Sequence, residues 1–554
     1  MNIMKRLIAL TLALITVLVM AVGCTTTPPD DDPDRFNEQV DKERTQLYVG
    51  YYNGGVGLTW LKKAKEEFEK LYPEYQIMID TFKQEMWDQQ LIGSMKVNRQ
   101  DMYIDTAGDI YEFMSKDLLV DLTDAVTTPL TEFGEDKSIA DKMNASLKDY
   151  YRTTDGKYYG TPYFEGYHHI IYDMDLFDKY NLWFKDGGGF VSSTSDKKTA
   201  GQDGKYGTSD DGLPITYSDF FKMMDRMVEL GITPLTWSGQ YADSYLTNLV
   251  GTLIASYEGD NFKTHFSYNG QVEIIKNKDF VESESKTFVL NDSDVETVTV
   301  TPENFSDYMY RTTGKYFASK FAKDLVSNTK YYTYNYAESH TGVQRSYLMS
   351  SMLGKPIAML IEGNWWMNES DQVFKDMASY DAAYAKENRN FGVMTIPKAD
   401  DGSSAEGNTV SPYSGNEFIC VSNFSTKKDI AILFFRFLHT DFAMQIFTEY
   451  SGLMRPYDYD LTSVYDSLNT YTKSFVDARA NTEYVYRLPT NEEFKTIKEV
   501  TNFMQYPGFH DTNVNGNTTH NPIMFFCDNP QYTGKDFFLG LEKRFKDTLP
   551  IALK

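Results

Sequence analysis

Residues 47–79 read LYVGYYNGGVGLTWLKKAKEEFEKLYPEYQIMI. Leu47–Tyr52 is a strand pattern rich in β-formers, and Asn53–Gly57 is a glycine-rich loop. Leu61, Ala64, Phe68 and Leu71 then recur at helical spacing, and Pro73 stops the helix. Gln76–Ile79 returns as a second strand. Strand, helix, strand in succession predicts a βαβ unit and a parallel sheet, hence an α/β fold. Ligands of such sheets bind where strands end and helices begin, which marks Tyr52 and Asn53.

The same alternation continues downstream. Thr216–Asp219 has the form of a helix cap, with Phe220, Met223, Met224 and Met227 turned inward. Pro356–Ile361 is a continuous apolar run, as expected of a strand buried on both faces. Phe418–Val421 is a short strand. Thr426–Asp429 then caps a helix with Ile430, Leu433, Phe434, Phe437 and Leu438 inward. Two polar insertions interrupt the pattern, near 185–213 and 258–312.

Upstream, residues 1–24 have a basic tip (Lys5, Arg6), an apolar run and Ala21-Val22-Gly23-Cys24. The run Leu7–Gly23 is shorter than the about 20 residues a membrane span needs. Small residues before a cysteine match a lipobox. Residues 1–23 are therefore expected to be a signal peptide and Cys24 the lipidated residue. The polar, acidic, proline-rich stretch that follows suits a spacer, so 24–44 is expected to be a lipid-anchored linker. The expected location is the extracellular side of the cytoplasmic membrane, or the periplasm where an outer membrane exists, with the membrane reached through the lipid alone.

The chain's 554 residues suit two or three domains. A formal charge of −25 opposes binding to nucleic acid and anionic lipid. Aromatics reach 15%, with 41 Tyr and 36 Phe, and ring-rich clefts suit the C–H faces of sugars. Cys420 and Cys527 lie in apolar contexts, as buried thiols do.

No phosphate loop, HExxH, GxSxG or CxxC occurs. His168 and His169 are neighbours in a strand pattern (Tyr167–Tyr172), so they point to opposite faces and do not chelate one ion together. A glycosidase pair among the 79 carboxylates leaves no sequence signature, because its members come from distant segments. Asp203, Asp210 and Asp211 share a glycine-bent loop, DGKYGTSDDG, whose hard oxygen ligands suit Ca²⁺. Its spacing is not that of an EF-hand, and a solvated acidic turn is the alternative.

Several blocks, taken in order, resemble the extracellular solute-binding proteins of carbohydrate ABC importers, the family 1 proteins that include maltose-binding protein. They are the opening GYYNGGVGLTWLKKAKEEFEKLYPEYQI; AGDIYEFMSKDLLVDLTD (107–124); DGKYYGTPYFEGYHHIIYDMDLFDKYNL (155–182); GITPLTWSG (231–239); SHTGVQRSYLMS (339–350); GKPIAMLIEGNWW (354–366); GVMTIPK (392–398); and the segment 416–461. The resemblance implies a two-lobed, periplasmic-binding-protein-like fold of type II with a hinge and an interlobe cleft. Crossings are expected near Pro162–Glu165, Thr395–Lys398 and Leu453–Pro456. Lobe one would comprise 45–162 with 399–452, and lobe two 163–398 with 453–554. The insertions and the length depart from the family's pattern and leave the ligand's size open.

Carried over position by position, the resemblance implies ligand contacts at Asp109, after the third strand, and at Glu165, after GTPYF. It also implies Trp365 as a stacking ring with Trp366 beside it, and further contacts at Trp237, Tyr52 and Asn53. The function implied is capture of a sugar or oligosaccharide and its delivery to an ABC-type permease, without catalysis or a required cofactor, by a monomer. The alternatives are a surface lipoprotein glycosidase, or a binding protein for a non-sugar solute or a sensory partner.

Overall fold

The computed structural model describes residues 39–52, 54–82, 88–97, 100–106, 109–412, 417–479, 482–491, 494–495, 497–509, 512–519 and 521–547. Two five-stranded sheets organise it. In chain order their strands are β1 (Thr45–Tyr52), β2 (Tyr75–Phe82), β3 (Met102–Thr106), β4 (Thr161–Pro162), β5 (His168–Asp173), β6 (Thr233–Trp237), β7 (Tyr332–Thr333), β8 (Ile357–Gly363), β9 (Phe391–Val393) and β10 (Phe418–Val421). The first sheet runs β2-β1-β3-β10-β4, the second β7-β6-β8-β5-β9.

The opening unit forms as its pattern predicts. β1 and β2 pair in parallel from Thr45↔Tyr75 to Tyr52↔Phe82. Helix α1 (Thr59–Leu71) joins them and buries Leu61, Ala64 and Phe68. Leu71, in its last turn, is 58% exposed, so the inward stripe ends at Phe68, one turn earlier than its spacing predicts. Neither sheet is purely parallel: β10 runs antiparallel to β3 and β4, and β5 runs antiparallel to β8 and β9. A strand that re-enters from the other sheet arrives at the opposite end and so runs against its neighbours.

Two large hydrophobic cores lie on these sheets, giving two lobes. One gathers β1–β3, α1 and β10 with Phe434, Phe437 and Phe447. The other gathers β5, β6 and β8 with residues from Val485 to Phe545. In the second, Thr216 Oγ1 accepts the N–H of Asp219 at 3.2 Å and starts helix α2 (Tyr217–Glu229), whose Phe220, Met223, Met224 and Met227 are all buried. The insertion at 258–312 is less polar in place than in sequence. Its antiparallel hairpin, Gly270–Ile275 with Val295–Val300, sends Val272, Ile274 and Val300 into the core.

The first and third crossings bind each other: the Glu165 N–H donates to Met454 O at 2.9 Å, and buried Arg455 donates from Nε to Tyr163 O at 2.9 Å. The middle crossing lies later than expected. Lys398 still exchanges backbone hydrogen bonds with Ile215 and Tyr217, and the chain reaches the first sheet only at Phe418. Thr426 does not cap the helix Lys428–Phe437. Ser425 takes the local role, accepting the Lys427 N–H at 2.9 Å while donating to Asp101 at 2.7 Å. In that helix Phe434 and Phe437 are buried, whereas Ile430 and Leu433 are half-buried.

Candidate functional site between the lobes

The apolar run of β8 is buried along its whole length and ends at Glu362-Gly363. The chain then turns through Asn364-Trp365 into a short helix at Trp366–Glu369. Asn364 pins the turn to the first crossing: its Nδ2 donates to Glu165 O at 2.9 Å, and its Oδ1 accepts the Tyr167 N–H at 3.1 Å. The two tryptophans diverge here. Trp366 drops into a small core with Tyr347, Phe374, Phe391 and Tyr471, edge-on to Phe391 at 4.9 Å.

Trp365 turns the other way and joins the first lobe's core, 7% exposed. Phe164, His168 and Tyr245 meet its ring edge-on at 6.2, 5.2 and 6.4 Å between centroids. Glycine is required beside it at Gly55, where φ is +87° and an added Cβ would lie 2.5 Å from Trp365 Cδ1. Asn368, one turn on, donates from Nδ2 to Ser451 O at 2.7 Å and Val56 O at 3.3 Å. A turn of the second lobe is thus seated in the first.

Two carboxyl groups accompany this turn. Glu362 is fully buried; its Oε1 accepts the Gly363 N–H at 2.9 Å. Burial, and then the charge of Glu369, hold its acid well above the usual carboxylate range, partly opposed by the Gly363 amide, the Gln344 amide and the Tyr245 hydroxyl. Glu369 accepts Gln344 Nε2 at 2.8 Å, and burial pushes it up to about 7. His340 Nε2 stands 3.6 Å from Glu369, but burial lowers its basicity, so it is a neutral neighbour at pH 7. Tyr241, 39% exposed, stacks on Tyr245 one turn along the helix Ala242–Glu258 at 5.8 Å and meets His340 edge-on at 5.1 Å. Rings, hydrogen-bonding groups and acids therefore converge where the lobes touch.

The residues singled out in the sequence meet different fates. Tyr52 is half-buried at the end of β1, its ring folded over Gly54. Asn53 and Cys24 lie outside the described residues. Asp109 is half-buried at the cap of helix Ile110–Ser115, where Oδ1 accepts the Tyr111 N–H at 2.9 Å. Glu165 is not an open acceptor. Its buried carboxylate takes the hydroxyls of Tyr167 at 2.8 Å and Tyr486 at 2.6 Å, and pairs with Arg479 at 3.1 Å. Trp237 is core as well, stacked on Tyr332 of the neighbouring strand β7 and on Tyr334 at 5.0 and 5.2 Å, within the core of its own lobe.

The acidic loop turns its oxygens on itself. Asp210 Oδ2 accepts the N–H groups of Gln202 at 2.7 Å and Asp203 at 3.1 Å. Asp211 Oδ2 accepts that of Gly207 at 2.8 Å, and Asp203 Oδ1 that of Lys205 at 2.7 Å. Asp203, Asp210 and Asp211 form no ligand cage, and among the described residues no group of three or more His, Cys, Asp or Glu is arranged to hold a metal. Loop closure by backbone amides is the physical role these aspartates show. His168 and His169 do point apart: His168 meets Asn248 at 3.1 Å and His169 meets the Tyr471 hydroxyl at 3.0 Å.

The sequence reading missed Glu362, Glu369, Tyr241, Tyr245 and Gln344. A signal for the first existed: a glutamate closing an apolar strand immediately before GNWW.

No protein-family model matches the chain, and no curated protein matches it in sequence. Solved structures do. The chain is similar to the GacH receptor of Streptomyces glaucescens, solved unliganded and with acarbose and an acarbose homologue: 16% identity over 91% of this chain and 99% of that one, TM-score 0.50. It is also similar to the cyclic α-maltosyl-1,6-maltose binding protein of Arthrobacter globiformis: 13% identity over 92% and 99%, TM-score 0.52. The fold is that of the two-lobed solute-binding proteins. Within this fold the Trp365 turn occupies the boundary between the two lobes.

Proposed function

We propose that the protein captures a sugar or oligosaccharide outside the cell and delivers it to an ABC-type permease, anchored by lipid on Cys24. The observation that carries this reading is the Trp365 turn, which reaches from the second lobe into the first amid the rings and acids of the interlobe boundary. A ligand that supplies contacts to both lobes stabilises the closed state and so reports its own capture. Rings cover the apolar face of a pyranose, and carboxylates accept its hydroxyls with charge-assisted bonds. Micromolar capture corresponds to only about −8 kcal/mol. The two proteins of like fold named above, which bind acarbose and a cyclic maltosyl-maltose, support a glycan as the ligand.

The Glu362–Glu369 pair favours one rival, a glycosidase, since hydrolysis of a glycosidic bond uses two carboxyl groups. Both acids, however, sit on one side of the site, joined through Gln344, rather than flanking a bond. A thermal-shift screen over mono- and oligosaccharides, with product analysis of the same mixtures, decides. A raised midpoint with the glycan recovered intact is expected. Released products would establish the glycosidase instead, and no shift with any glycan would sink sugar capture. The anchor is checked by metabolic lipid labelling, which Cys24→Ser should abolish.

A further inference from the structure

The acids beside the Trp365 turn lack something that three other deep carboxylates of this chain possess. Asp173 has Arg389 at 2.6 Å, Glu165 has Arg479 at 3.1 Å, and Asp324 has Lys320 at 2.5 Å. Among the described residues no lysine or arginine pairs with Glu362 or Glu369; the one basic neighbour is His340, 3.6 Å from Glu369 and neutral. Glu362 Oε2 is fully buried and accepts no hydrogen bond of normal geometry from a described residue. Burying a carboxyl group in this state is costly unless a partner arrives.

The surroundings say what kind of partner. Tyr245, Tyr241, His168 and Trp365 turn rings toward one another beside the acids, His168 and Tyr245 at 4.1 Å between centroids. Aromatic walls around an uncompensated acid attract organic cations, through the ring quadrupole and through charge-assisted N–H···O bonds. A protonated amine pairs with the ionised form and draws these raised acids back toward it, which a neutral hydroxyl does not. The molecule's formal charge of −25 also favours the approach of cations over anions.

We propose that the solute this cleft takes carries a protonated amine, which seats against Glu362 and Glu369 among the rings of Tyr245, Tyr241 and Trp365. The proposal rests on the interlobe cleft being the capture site. It narrows the ligand from sugars in general to amine-bearing solutes, amino sugars foremost.

Titration calorimetry on the mature chain tests it with four probes. These are oligomers of glucosamine, the same oligomers N-acetylated, glucose oligomers of equal length, and the simple amine spermidine. The free-amine oligomers are expected to bind at least tenfold tighter than their acetylated forms. Glu362→Gln and Glu369→Gln, each checked by a melting curve, are expected to abolish that ratio. Equal or tighter binding of the acetylated or glucose oligomers would overturn the amine site and leave sugar capture standing. A ratio preserved in both variants would place amine recognition elsewhere and overturn it too. Binding of spermidine without any sugar would uphold the amine site and remove the sugar. No binding by any probe would remove both.

Discussion

Trp365 and Trp366 are chemically identical neighbours with opposite employment. They part past the end of β8, where Trp365 stands in the turn and Trp366 opens the helix, so their side chains leave on different faces. Trp366 is fully buried among Tyr347, Phe391 and Tyr471. Trp366→Ala is expected to cost about 3–5 kcal/mol of stability, as removal of a core aromatic does, with ligand affinity held. Trp365→Ala is expected to cost about 2 kcal/mol or more of affinity, in the range of an aromatic anchor, with the smaller loss of stability. Calorimetry beside urea unfolding of both variants is the check; normal binding by both would remove Trp365 from the site. Glu165 teaches the converse. Its position at the crossing was readable, but its saturation was not, since Tyr486 and Arg479 lie 321 and 314 residues further along the chain.

Among elements, those built by short-range pattern were read well: β1, α1 and the apolar run of β8 stand where periodicity put them. The loop between β1 and α1 adds something periodicity does not show. Gly55 and Gly57 have nearly equal φ, +87° and +86°, yet a Cβ on Gly55 would strike Trp365 and one on Gly57 would meet nothing within 4 Å. Both Gly55→Ala and Gly57→Ala should lose roughly 1–2 kcal/mol to the left-handed backbone. Gly55→Ala alone should also wedge the lobes apart, weakening ligand capture and raising the radius of gyration in small-angle scattering. Equal affinity in the two variants would show that the Gly55–Trp365 contact plays no part in closure.

Across the two lobes, stability is tied to pH through the same acids. Glu369 titrates near 4.5 when unfolded and at about 7 when folded, raised by burial, and Glu362 is raised in the same sense by burial and by Glu369. Between these values the folded chain keeps a proton that the unfolded chain has released. The burial penalty is therefore absent below about pH 4.5, grows as pH rises, and is complete above about pH 7. Glu369→Gln removes it. The variant should match the wild type in melting temperature near pH 4.5 and exceed it near pH 8. A gap independent of pH would deny the burial of that charge.

The boundary between what could be read and what could not follows range. Alternation, caps and apolar runs act within a few residues, so the α/β class, the opening βαβ unit and the opposed histidines were legible from letters alone. The antiparallel members of both sheets, the late middle crossing near Phe418 and the closure of the Asp210 loop needed coordinates. So did the neutralised Glu165 and the unmatched Glu362, two buried glutamates that a sequence presents alike. Arg479 reaches one, and no described lysine or arginine reaches the other. Burial and charge pairing are set by segments that meet only when the lobes are assembled, and the cost of a buried charge depends on those meetings rather than on its neighbours in the chain.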